Sequence, residues 1–300
     1  MKDVALVLEG GGLRAIYTAG VLDAFLQQSL NFNYVIGVSA GAIYPASYVS
    51  RQFGRNLQIQ QQYLNDKRYM GLRHWLATGN YVNTDFTYRR MAYELLPFDF
   101  DTFLNSHTEF KVGAFNCNTG KTDYFGMADF NDHDKLLDVL IASSSLPFMS
   151  KPSVINQHHY LDGGIGEPIP LAQSRKDGYA RQVVILTQDQ HYQKSAMKMN
   201  WLARKAYKRY PAVSHALSER HRVYNQALTE LDQAVAEDNA FVIRPAQPLN
   251  LSRLDRNIDK VTAVYQQGLA DGKTVLPALT AWLAAPKEPK PEAESTAALG

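Results

Sequence analysis

Within the first 41 residues, a short apolar run twice meets a glycine-rich turn and gives way to a helix-like stretch. Val4–Leu8 (VALVL) runs into Glu9-Gly-Gly-Gly-Leu-Arg-Ala15, and Tyr34–Val38 (YVIGV) runs into Ser39-Ala-Gly41. Five apolar residues without polar alternation predict a strand buried on both faces, which belongs in a parallel sheet covered by helices. Leu13–Gln28 carries Ile16, Leu22, Phe25 and Leu26 on one face at roughly helical spacing. Strand, helix, strand, helix with short links predicts an α/β fold. The second helix, Ala40–Tyr48, holds Pro45, which is expected to kink it or begin it afresh.

Further along, residues 53–96 read as polar helices, a cap or insertion over the sheet. Strands are expected at Glu109–Asn116, Thr122–Phe125, Ser153–Ile155, His159–Leu161, Val183–Thr187 and Phe241–Ile243. Helices are expected at His133–Ala142, with Asp132 as N-cap, and over 192–209, 212–236, 257–270 and 275–284. The organisation expected is one domain over 1–285, with the cap within 53–108 and a C-terminal helical part over 190–285. From Pro286 the sequence PKEPKPEAESTAALG predicts a disordered tail over 286–300.

A net charge of +2 gives no footprint for nucleic acid. Cys117, the one cysteine, cannot form an internal disulfide, and a reducing cytoplasm is the expected compartment. The apolar run at Val4–Leu8 is stopped by Glu9, too short for a signal-peptide core, and no run of 18 apolar residues predicts a membrane span.

Gly10, Gly11 and Gly12 follow a strand and open a helix, so their N–H groups are placed to meet an anion. That anion is a nucleotide phosphate or the oxyanion of an attacked carbonyl, unless the loop only packs helix on sheet. A Walker loop requires Gly-Lys-Ser/Thr, which is missing, and the second strand lacks the ribose-binding acid of a dinucleotide site. Ser39 lies between a strand and a helix, with Gly37 and Gly41 leaving room for a tight turn. That context suits a nucleophile elbow, against the plainer reading of a helix-capping serine. A serine nucleophile needs a base. None of the eight histidines sits in a recognisable catalytic context. A carboxylate does: Asp162, in Tyr160-Leu-Asp-Gly-Gly-Ile165, follows a short apolar strand and precedes Gly163 and Gly164.

Together the segments EGGGLRA (9–15), GVSAG (37–41) and DGG (162–164), with ASSSLPF (142–148) before the aspartate, resemble the patatin-like phospholipase family, in its bacterial single-domain branch. The likeness covers about residues 3–190 and is weakest over 53–108. It implies a three-layer α/β/α fold with a mostly parallel sheet and the nucleophile elbow after the second strand. It implies a lipid acyl-ester hydrolase of phospholipase A or lysophospholipase type, working through an acyl-enzyme. Nothing visible in the sequence requires a metal, and no cofactor is expected. Ser39 would be the nucleophile, Asp162 its base, Gly10, Gly11 and Gly12 the oxyanion hole, and Arg14 an anion-binding neighbour. Two positions depart from the family pattern: Ala15 replaces a glycine and Glu9 an aspartate. Two alternatives stay open. One is a general carboxylesterase or thioesterase with a Ser-His-Asp triad drawing on His191, His215 or His221; the other is a catalytically weak lipid-binding module.

Residues 194–210 (KSAMKMNWLARKAYKRY) mix six Lys/Arg with Trp201 and two methionines. The segment reads as a solvated helix with a core-facing stripe, or as a basic helix making transient contact with an anionic inner membrane surface. Asn131-Asp-His-Asp134 reads as capping rather than metal binding, Asp99-Phe-Asp101 as loop chemistry, and Cys117 as a packed thiol.

Overall fold

The structure, a computed structural model, describes residues 3–130, 132–198 and 200–285. Asn131, Met199 and the tail 286–300 lie outside the described residues.

β1 (Val4–Leu8) passes through the glycine loop and a 3-10 turn (Gly12–Ala15) into α1 (Ile16–Gln27). β2 (Tyr34–Val38) turns at Ser39 into α2 (Ala40–Val49). Next come α3 (Arg55–Tyr63), α4 (Leu72–Thr78), a π-helix (Asp85–Leu95) and α5 (Phe100–Leu104). β3 (Glu109–Asn116), β4 (Thr122–Phe125), α6 (His133–Ser143), β5 (Ser153–Ile155), β6 (His158–Asp162), α7 (Leu171–Lys176) and β7 (Arg181–Ile185) follow. The chain closes with α8 (Asn200–Ala206), α9 (Pro211–Ala236), β8 (Ala240–Ile243) and α10 (Ile258–Ala284).

The strands form one mixed sheet in the order β5-β6-β3-β2-β1-β7-β8, with β4 also on β3. The five strands β3, β2, β1, β7 and β8 run parallel. β1, β2 and β7 are buried at every position; β1 and β2 are apolar runs as that requires, and β7 begins with Arg181 and Gln182, whose side chains are hydrogen-bonded to Trp282 O and Leu171 O. Alternate side chains feed two cores. Leu6, Leu8 and Val35 pack with residues of α1, α2 and α10, while Ala5, Val7 and Ile36 pack with Leu171 of α7 and Tyr224 and Leu231 of α9. The fold is three-layer α/β/α, as expected.

One feature of the register positions the site. β4 occupies one edge of β3 over Val112–Phe115, β2 pairs with Glu109–Gly113, and β6 pairs with Ala114–Asn116. A strand has two edges, so β2 and β6 share the other edge of β3, end to end. β2 finishes opposite Gly113 and β6 finishes with Asp162 opposite Ala114. The residue after β2 and the last residue of β6 therefore meet.

Three helix expectations are corrected. Pro45 does not break α2, which runs through it. Nearly every residue of that helix is buried, and the packing outweighs one lost hydrogen bond. The two helices expected over 257–270 and 275–284 are one continuous α10, which also runs through Pro277 at an exposed position where the freed carbonyl can turn to water. The helix expected over 192–209 is only α8. Asn225 of α9 accepts from Lys194 N at 2.8 Å and donates to Lys194 O at 3.1 Å, holding that backbone out of a helix. This tertiary clamp overrides a helical pattern.

Candidate active site

Ser39 has φ 56° and ψ −134°, a conformation that costs a non-glycine residue about 1–3 kcal/mol. Its surroundings enforce it. A Cβ on Gly37 would lie 1.8 Å from the Gly41 carbonyl oxygen, and one on Gly41 would lie 2.4 Å from the Glu9 carbonyl oxygen. Only glycine allows helix, strand and loop to come this close. Ser39 N donates to Ser143 Oγ at 2.8 Å, and Ser143 Oγ donates to Gly113 O at 2.7 Å. Two residues on, the carbonyl of Ser145 accepts from Asp162 N at 2.8 Å. The stretch 142–148 thus braces both ends of the meeting point. In sequence it shows only a serine run, since its role depends on α6 crossing the sheet.

Ser39 Oγ donates to Asp162 Oδ2 at 2.5 Å, and Asp162 Oδ1 accepts from Gly164 N at 2.8 Å. Both side chains are buried, Ser39 at 7% exposure and Asp162 at 3%. Burial pushes the Asp162 carboxyl above the usual carboxylate range, while nearby Arg220, the Ser39 hydroxyl and the Gly164 amide pull it back. The result is a carboxylate more basic than one in water.

The glycine loop stands beside this pair. Among the described residues, the amides of Gly11 and Gly12 have no protein acceptor, whereas Gly10 N faces Pro168 O at a long 3.4 Å. Gly12 has φ 57° and lines the same cavity as Ser39. Leu13 N is taken by Arg253 O at 3.1 Å. Glu9 has a structural job. Its carboxylate accepts from Thr187 N at 2.6 Å, Thr187 Oγ1 at 3.0 Å and Tyr224 Oη at 2.8 Å, tying the end of β1 to the loop after β7 and to α9. Arg14 is half-buried, and its Nε is buried without a hydrogen-bond partner.

A cavity of ≈ 170 Å³ opens at Ser39. Its walls are mostly apolar, with Ile43 and Tyr44 from α2, Ile59 from α3, Met91 from the π-helix, and Leu137 and Leu140 from α6. The 53–96 segment covers one side of it.

No histidine among the described residues hydrogen-bonds to Ser39 or Asp162. His191 meets Gln190, His221 meets the Ser218 carbonyl, and the His215 backbone carbonyl accepts from Ser218. Asp132 caps α6 through Lys135 N at 2.8 Å, and Asp99 caps α5 through Thr102 N at 2.8 Å. Burial pushes the Cys117 thiol up to about 12, so it is not a nucleophile at neutral pH. No cluster of three or more His, Cys, Asp or Glu that could hold a metal occurs among the described residues.

Residues 6–174 match the family model described as patatin-like phospholipase, more than half of the chain. The chain belongs to the patatin-like phospholipase family. It is a patatin-like lipid hydrolase, and residues 210–284 match a second family, a domain of unknown function designated DUF6363. The hydrolase is 28% identical over 280 residues to uncharacterized protein YjjU of Escherichia coli (strain K12), covering 91% of this chain and 77% of that protein. It is 27% identical over 181 residues to lysophospholipase NTE1 of Coccidioides immitis (strain RS), covering 59% of this chain and only 11% of that protein. Among solved structures, VipD from Legionella pneumophila aligns with a TM-score of 0.47 at 11% identity, over 93% of this chain and 67% of that one. No helix among the described residues is long and apolar enough to cross a membrane.

Proposed function

We propose that this hydrolase cleaves acyl esters of lipids, in the manner of a phospholipase A or lysophospholipase, through a Ser39–Asp162 dyad and a Ser39 acyl-enzyme. The observation that carries the reading is the 2.5 Å Ser39–Asp162 hydrogen bond at the mouth of an apolar cavity. The acyl chain occupies the cavity. Ser39 Oγ attacks the ester carbonyl carbon as its proton passes to Asp162. The carbonyl oxygen gains charge facing the Gly11 and Gly12 amides, each donor contributing about 3–4 kcal/mol. Collapse breaks the ester bond, and Asp162 returns the proton to the leaving alcohol. Water then attacks the acyl-serine, giving its proton to Asp162. The second collapse frees the fatty acid and returns that proton to Ser39. The NTE1 relative, a lysophospholipase by name, supports a lipid ester as substrate. Among the described residues no histidine is bonded to either Ser39 or Asp162, which favours the dyad over a Ser-His-Asp triad.

Labelling with a fluorophosphonate probe tests this. Wild-type protein is expected to be labelled at one site, and Ser39→Ala to take no label. Equal labelling of both, or none of the folded wild type, would sink the assignment. We also propose transient contact of the 194–210 segment with an anionic membrane surface, supported by Trp201 at 63% exposure among outward lysines and arginines.

A further inference from the structure

Four cationic side chains gather around the reaction site, and among the described residues none is held in a salt bridge. Arg253 lines the cavity that opens on Ser39, and its backbone meets the glycine loop at Leu13. Arg220 of α9 donates from Nε to Gly164 O at 2.5 Å, two residues past Asp162. Lys194 Nζ lies 5.4 Å from the ring centroid of Tyr224, whose hydroxyl holds Glu9. Arg14 keeps a buried, unpartnered Nε on the same loop. Among the described residues none of the four forms an ion pair, and both nearby carboxylates are engaged. Glu9 is taken by Thr187 and Tyr224, and Asp162 by Ser39 and Gly164.

Half-buried cations crowded in this way repel one another. Burial, then Arg220 and Arg253, brings Lys194 down to about 7, and burial with Arg253 also lowers Arg14, with Glu9 pulling both back only in part. Asp162 and Glu9 attract these cations from a distance, but two carboxylates face four cations, and a site with that excess is a candidate for an external anion. Guanidinium forks and an ammonium suit a phosphate, which offers several acceptor oxygens and more charge than a carboxylate. The family match ends at residue 174, whereas Lys194, Arg220 and Arg253 lie beyond it, the last two inside the 210–284 match.

We infer that Lys194, Arg220 and Arg253, with Arg14, form a phosphate subsite supplied mainly by the C-terminal part, which selects acyl esters carrying a phosphate over neutral ones. This rests on the lipid-ester reading above and deepens it. The acyl chain fills the apolar cavity, the ester lies at Ser39, and the phosphate faces the cations.

Binding is measured by calorimetry on Ser39→Ala protein, so that the ligand survives. The probes are lysophosphatidic acid, monoacylglycerol of the same chain, and inorganic phosphate. Lysophosphatidic acid is expected to bind at least about tenfold tighter than monoacylglycerol. Adding Lys194→Gln or Arg253→Gln should each reduce that ratio by about tenfold, while Lys194→Arg restores it, separating charge from packing. Equal affinity for the two lipids, or a ratio untouched by both Gln variants, overturns the proposal. Inorganic phosphate that binds while the lipid phosphate gives no advantage overturns the headgroup assignment in favour of free phosphate. Fluorophosphonate labelling of the wild type reads the hydrolase assignment separately, so the two can fail independently.

Discussion

At Ser39 the backbone holds a conformation that serines rarely adopt, and every neighbour in reach helps to hold it there. Gly37 and Gly41 leave the space, Ser143 takes the amide, and Asp162 takes the hydroxyl. Local sequence shows the strand, the glycines and the helix, so the elbow was legible. Asp162 was legible only as a carboxylate in suggestive company, 123 residues away. Ser143 was not legible, because it acts from a helix end that reaches the elbow through space. Asp162 must be ionised to act as base, and burial raises its pKa. Activity is therefore present above that raised pKa and lost as pH falls through it. A pH profile of kcat/KM for a soluble ester should show one acidic limb, displaced above the usual carboxylate range. Asp162→Asn should lower kcat by roughly 10²–10⁴. Near-wild-type turnover in that variant would remove Asp162 from the mechanism.

Secondary-structure elements here are tied by buried polar links as well as by apolar packing. α1 and α10 approach so closely that a Cβ on Gly268 would lie 2.0 Å from the Tyr17 carbonyl oxygen. At their crossing Asp23 accepts from Tyr265 Oη at 2.6 Å and from Gly54 N at 3.0 Å, linking α1, α10 and the start of α3. Burial raises the Asp23 carboxyl to about 6, against an ordinary 3.8. The folded chain thus keeps this proton over a range where the unfolded chain gives it up. The stability gained is full below about pH 4 and is lost as pH rises through about 6, about 3 kcal/mol in all. Asp23→Asn keeps an acceptor oxygen but cannot titrate. Urea unfolding at pH 4, 5, 6 and 7 should show a flatter stability profile in the variant. Parallel profiles for the two proteins would contradict the link. β1 and β2 were legible because burial on both faces leaves an apolar run. The 192–198 segment was not, because Asn225 decides its conformation from another element.

For the molecule as a whole, the C-terminal part is built into the fold rather than appended to it. β8 pairs with β7, α10 covers α1, and α9 carries both Tyr224 on Glu9 and Arg220 on Gly164. The 194–210 segment divides between two duties. Lys194 turns inward to the cationic cluster, whereas Trp201, Leu202, Arg204 and Lys205 face outward. Only the outward group serves the proposed membrane contact. In a low-salt flotation assay, anionic vesicles should recover the protein better than neutral ones, and Trp201→Ala should weaken that recovery. Equal recovery with both vesicle types would argue against the contact.

The sequence by itself determined the α/β architecture, because buried parallel strands leave runs that no other class needs. It also determined the elbow, because so tight a turn admits few residues. Tertiary structure alone decided that β2 and β6 meet end to end on β3, which brings Ser39 to Asp162. It alone decided that Lys194, Arg220 and Arg253 converge there. Residues far apart in the chain leave no periodicity or spacing to read, and their proximity exists only once the sheet order is set.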